Sequence, residues 1–139
     1  KMLGFVEEIL QSLGLPYRLL QCCTGDLGMK NEDMIDVECW MPGRGEAGKD
    51  GAPTGEYGET HSASRLGDFQ CRRLNLRYKD ADGKVQFAWA LNNTVIASPR
   101  VLIPLLEIHQ NADGTVTVPE PLRPHLGGRA RIEPPAKRP

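Results

Sequence analysis

Residues 74–91, LNLRYKDADGKVQFAWAL, decide the fold class. Two strand-like runs, 74–79 and 85–91, flank a short polar connection, residues 80–84. Within it, Asp82-Gly83 is the kind of pair that a tight hairpin turn needs, because such turns require positive φ. A hairpin pairs its strands antiparallel. Upstream, residues 34–41 alternate apolar and polar side chains: Ile35, Val37 and Cys39 face one side, and Asp36, Glu38 and Trp40 the other. Pro42 ends that strand. Residues 17–23 read as a further strand, followed by a turn over residues 24–28 with two glycines.

Helical spacing appears at both flanks. Leu3, Val6, Ile9, Leu10 and Leu13 form one apolar stripe over residues 2–13, which Gly14 and Pro16 bring to an end. Residues 65–73 read as a turn entering a short helix. Residues 100–110 form an apolar helix in which Pro104 is expected to be tolerable only near the first turn. Asp113-Gly114 is another turn, and residues 115–118 a short strand. The order is helix, strand, strand, long loop, two strands, helix. It gives an α+β domain, an antiparallel sheet with flanking helices. Residues 43–56 hold five glycines, one proline and no large apolar residue, so they are expected to be a flexible insertion. Residues 1–128 form the domain, and 129–139 are expected to be a disordered tail. Lys1 to Phe5 already belong to the first helix, which reads as a piece of a longer protein.

At 139 residues the chain fits one domain with a real core. Its hydrophobic content of 40% and charged content of 25% are those of ordinary globular proteins. A net charge of −1 gives no general pull toward nucleic acid or a membrane. No apolar run approaches the ~20 residues that span a bilayer. Cys22, Cys23, Cys39 and Cys71 include no CxxC pair, which argues against zinc and for reduced thiols.

Three stretches can carry chemistry. Glu59 and Ser62, three residues apart, offer a carboxylate and a hydroxyl to a hard cation such as magnesium; the competing reading is a helix cap or polar loop. Arg72, Arg73 and Arg77 can bind phosphate or carboxylate, although a solvated face with internal ion pairs is the better default. Asn92, Asn93 and Thr94 at a strand end can hydrogen-bond a small polar ligand. Arg100, at the start of a helix, opposes the dipole there, a placement that makes sense if an anion binds too.

The wording and order of these stretches resemble the seryl-tRNA synthetases, a branch of the class II aminoacyl-tRNA synthetases. The resemblance runs over residues 3–128. It is carried by Leu15 to Leu20, Cys23 to Gly28, Ile35 to Pro42, Glu59 to Ser62, Asp68 to Arg73, Leu91 to Gln110 and Pro119 to Gly127. Asn93, Val95 and Pro99 stand where class II enzymes in general favour glycine in their third signature motif, a variant familiar in the seryl branch. The 43–56 stretch is longer than the family's connection.

The resemblance implies the C-terminal part of a catalytic domain that activates serine with ATP and passes it to tRNA(Ser), in a homodimer with no membrane partner. It further implies that Glu59 and Ser62 hold Mg2+ on the ATP phosphates, that Arg100 meets the γ-phosphate, and that Asn92 and Thr94 lie at the serine pocket. No Phe-Arg-x-Glu sequence occurs here, and the family's first two signature motifs and helical arm have no counterpart. The 139 residues alone are therefore expected to be inactive. The rival expectation is a non-catalytic module of the same fold that binds a ligand or a protein. A mitochondrial matrix or a cytoplasm suits the wording.

Overall fold

The computed structural model describes residues 1–135. Helix α1 (Met2–Ser12) leads into strand β1 (Tyr17–Gln21), a 3-10 turn (Thr24–Asp26) and strand β2 (Asp33–Met41). After a loop come β3 (Glu56–Arg65), helix α2 (Phe69–Arg73), β4 (Arg77–Lys79), β5 (Val85–Phe87) and β6 (Leu91–Asn93). Helix α3 (Ser98–His109), β7 (Val116–Thr117), a 3-10 segment (Glu120–Leu126) and β8 (Arg131–Ile132) complete the chain. The main sheet is antiparallel, in the order β1-β2-β3-β6. None of the helices among the described residues is long and apolar enough to cross a membrane.

The alternation of β2 does what its pattern predicts. Val37 and Cys39 are fully buried against Val6, Leu10 and Leu13 of the first helical stretch, Leu15, and Val101 of α3. Each fully buried aliphatic side chain there contributes about 1.5–3 kcal/mol. Asp36, Glu38 and Trp40 lie on the opposite side of β2. Arg18 bridges to Glu38 at 2.6 Å and stacks over Tyr57, which itself meets Trp40 edge-on. The sheet thus has one face under helices and one carrying charge.

Four expectations change. The longest strand, β3, has no hydropathy signal, because its inward positions are Gly58, Thr60, His61 and Ala63 rather than large aliphatic residues. The run 85–91 is split. β4 and β5 form a separate ribbon, and Ala90 pairs with Leu66 and Gly67 to carry the chain back into the main sheet at β6. Pro104 sits inside α3 rather than in its first turn, with its ring fully buried, so packing offsets the lost N–H. Arg131–Ile132 pair with β7, so the expected disordered tail has backbone pairing at those residues; residues 136–139 lie outside the described ones.

The 43–56 stretch folds back on itself. Gly48 donates to Ala52, Thr54 to Glu46 and Gly55 to Arg44 through backbone hydrogen bonds. Gly55 has φ +79° and lies so close to Trp40 that a Cβ would overlap the indole. Gly51 has φ +80° with open space around it. Gly51→Ala should cost about 1 kcal/mol from left-handed backbone alone. Gly55→Ala should cost at least about 1 kcal/mol more, from overpacking against Trp40. Urea unfolding of both variants checks this, and equal losses would remove the Trp40 contact.

Candidate functional site

A carboxylate and a hydroxyl three residues apart on a regular strand point to opposite faces. Glu59 and Ser62 do not, because β3 is bulged. Glu59 stands opposite Glu38, and Ser62 opposite Asp36, with the register shifting between Val37 and Glu38. Asp36 and Glu38 share a face, so Glu59 and Ser62 share it too. Thr60 is the extra residue. Its side chain is buried, donates to the Val37 carbonyl at 3.1 Å, and lies 3.2 Å from Cys39 Sγ and 2.9 Å from His61 Nδ1. His61 is also buried, and burial holds its imidazole pKa below the ordinary value, against an opposing contribution from the Val95 backbone. Its Nε2 is buried without a hydrogen-bond partner among the described residues.

The strand ending at Asn93 brings in the polar triplet. Asn92 is opposite Ser64, and the Thr94 N–H donates to the Ser62 carbonyl at 3.2 Å. By alternation Asn92 shares the face of Ser62, and Thr94 follows it. Asn93 turns the other way, and its amide donates to the Met2 carbonyl at 3.3 Å. Arg100 projects from the first turn of α3 and donates to Glu59 Oε1 at 2.6 Å. Both side chains remain about half exposed, at 54% for Arg100 and 41% for Glu59. They line a cleft of about 410 Å³ together with Met41, Arg44 and Ile103. The structure therefore joins Glu59 to Arg100 and Ser62 to Thr94, with Asn92 one step further along the ladder.

Two residues near this face were not singled out from sequence. Asp36 is half-buried and its Oδ1 has no hydrogen-bond partner. Burial pushes its carboxyl pKa up, Glu59 and Glu38 add to the rise, and hydrogen bonding from Cys22 and the charge of Arg100 oppose it. Cys22 in turn is pushed up to about 11 by burial and by Asp36, so its thiol stays protonated at neutral pH. Arg44 is the other, hidden in a glycine-rich stretch that carries no motif. The Arg72 group behaves as a solvated face: Arg72 pairs with Asp68 at 2.6 Å, and Arg72 and Arg77 stack on Phe87.

Among the described residues no three His, Cys, Asp or Glu side chains cluster tightly enough to hold a metal alone. Glu59 and Ser62 supply only oxygen, beside the unpartnered oxygen of Asp36. That set fits a hard cation that draws the rest of its shell from phosphate and water.

Residues 1–109 match the tRNA synthetase class II core domain (G, H, P, S and T), and the chain belongs to that family. Within the class it is similar to seryl enzymes. It is 51% identical to a serine–tRNA ligase of Deinococcus radiodurans over 99% of its own length and 30% of the relative's. It is 44% identical to that of Laribacter hongkongensis over 94% and 28%. Among solved structures it superposes on a seryl-tRNA synthetase from Pyrococcus horikoshii complexed with ATP, with a TM-score of 0.83 and 39% identity, over 97% of this chain and 28% of that one. A cytoplasmic serine–tRNA ligase from Naegleria fowleri in complex with AMP gives the same TM-score at 36% identity, over 97% and 29%. The chain spans less than a third of the length of these relatives.

The Asp36 environment has a pH signature. A carboxyl whose pKa is raised on folding contributes stability that is present below the unfolded pKa of about 3.9 and is lost as pH rises through the folded value. Asp36→Asn should therefore raise the melting temperature at pH 7 and change it little near pH 3.5. Melting curves at the two pH values test this, and an equal shift at both would refute the assignment.

Proposed function

We propose that the chain is the C-terminal part of the catalytic domain of a serine–tRNA ligase, which activates serine with ATP and transfers it to tRNA(Ser). The observation that carries this reading is the bulge that brings Glu59 and Ser62 to one face, with Arg100 against Glu59 and Thr94 against Ser62. Cationic, anionic and neutral polar groups then converge at one sheet end, as transfer of an adenylyl group requires. Such chemistry runs on positioning and charge neutralisation more than on a protein nucleophile.

Each residue has a role in this reading. The serine carboxylate attacks the α-phosphorus of ATP, and the bond from that phosphorus to the pyrophosphate oxygen breaks with its electron pair. Arg100 neutralises the phosphate end of the nucleotide. Glu59 and Ser62 would hold Mg2+, which would supply further charge neutralisation on the phosphates. Asn92 and Thr94 bind serine, with Thr94 paired to its hydroxyl. A site that bonds this hydroxyl rejects alanine, because its polar groups would otherwise be buried unpaired.

In the complete protein, Thr94→Val keeps the shape and removes the polar partner. Serine use should weaken by roughly 1–3 kcal/mol with ATP use nearly intact, and preference over alanine should narrow. Paired kinetics for serine and ATP, with a melting curve on the same variant, provide the check. Lower stability with an unchanged serine-to-alanine preference would remove Thr94 from the site.

A further inference from the structure

Arg44 opens the glycine-rich loop between β2 and β3, yet it lines the same cleft as Glu59 and Arg100. Its backbone is held at both ends: the N–H donates to the Met41 carbonyl at 3.1 Å, and its carbonyl accepts from Gly55 at 2.9 Å. Its side chain is exposed and reaches over β3. Nη1 occupies the space that a Cβ on Gly58 would fill, and it lies 3.8 Å from Met41 Sδ.

Gly58 sits inside β3, buried, and its φ is not among the positive ones. Its backbone does not demand glycine, and glycine within a strand weakens it. What the missing side chain provides here is room for the Arg44 guanidinium. The charge count of the cleft is also unequal. Glu59 is paired by Arg100, whereas among the described residues Arg44 has no carboxylate within ion-pair distance. A positioned guanidinium with free donors in a cleft matches a phosphate oxyanion, which can accept two parallel hydrogen bonds.

We propose that Arg44 is a further residue that binds the terminal phosphates of ATP, acting beside Arg100 on the pyrophosphate end as it leaves. The inference rests on the ATP-dependent activation proposed above. Charge grows on the leaving pyrophosphate as its bond to the α-phosphorus breaks, so a cation fixed there assists departure as well as binding.

The test uses the complete protein with Arg44→Ala, Arg44→Lys and Gly58→Ala. ATP and AMP affinities are measured by calorimetric titration, alongside serine-dependent ATP–pyrophosphate exchange and melting curves. Arg44→Ala should weaken ATP about tenfold and leave AMP, which lacks the terminal phosphates, within about twofold. The KM for serine should stay put. Arg44→Lys, which keeps the charge without the planar fork, should recover part of the loss. Gly58→Ala, by displacing the guanidinium, should reproduce the ATP-selective defect. Equal loss for ATP and AMP, or loss for neither, would overturn the proposal. If the unsubstituted protein shows no serine-dependent exchange while Arg44→Ala still narrows the ATP-to-AMP preference, the ligase reading fails and the phosphate contact stands.

Discussion

One buried hydroxyl governs the geometry of the charged face. Thr60 is the additional residue in β3, and a bulge in a central strand needs its extra residue satisfied. The Thr60 side chain meets that need by bonding the Val37 carbonyl and contacting Cys39 and His61, all in the covered layer. With this arrangement in place, Glu59 and Ser62 come to the same face as Asp36 and Glu38. Without it, regular alternation would send one of the two into the core, where an unpaired carboxylate is strongly disfavoured.

The rest of the fold serves the contrast between the two faces. Helices α1 and α3 cover one side, and their buried residues Val6, Leu10 and Val101 meet Val37 and Cys39. The same α3 delivers Arg100 from its first turn, so the helix that seals the core also sets the position of a cation at the cleft. Arg44 comes from the loop after β2, with its guanidinium over the bare Cα of Gly58. Two cations from different segments and one carboxylate from the sheet therefore meet in a cleft of about 410 Å³.

Much of the frame was readable in the chain. The stripe through Leu3, Val6 and Leu10, the alternation of Ile35, Val37 and Cys39, and the Asp82-Gly83 turn each became the element that their periodicity implied. β3 was not readable, because its inward positions are small or polar residues, Gly58, Thr60, His61 and Ala63, so hydropathy carries no trace of it. The site was half readable. Glu59, Ser62, Thr94 and Arg100 could be chosen by chemistry and resemblance, but the bulge that unites the first two depends on long-range pairing with β2. Arg44 was invisible for a related reason: its placement uses the space left by Gly58, fourteen positions away in the sequence. In the sequence Asp36 is only an outward residue of an alternating strand, and its orphaned oxygen depends on what surrounds it after folding.

The most direct measurement is a crystal structure of the complete protein with serine, Mg2+ and a non-hydrolysable ATP analogue. The expected result has the terminal phosphates between Arg44 and Arg100, the cation at Glu59 and Ser62 on one sheet face, and the serine hydroxyl at Thr94. A phosphate tail bound away from this cleft, or Glu59 and Ser62 found on opposite faces of β3, would contradict it.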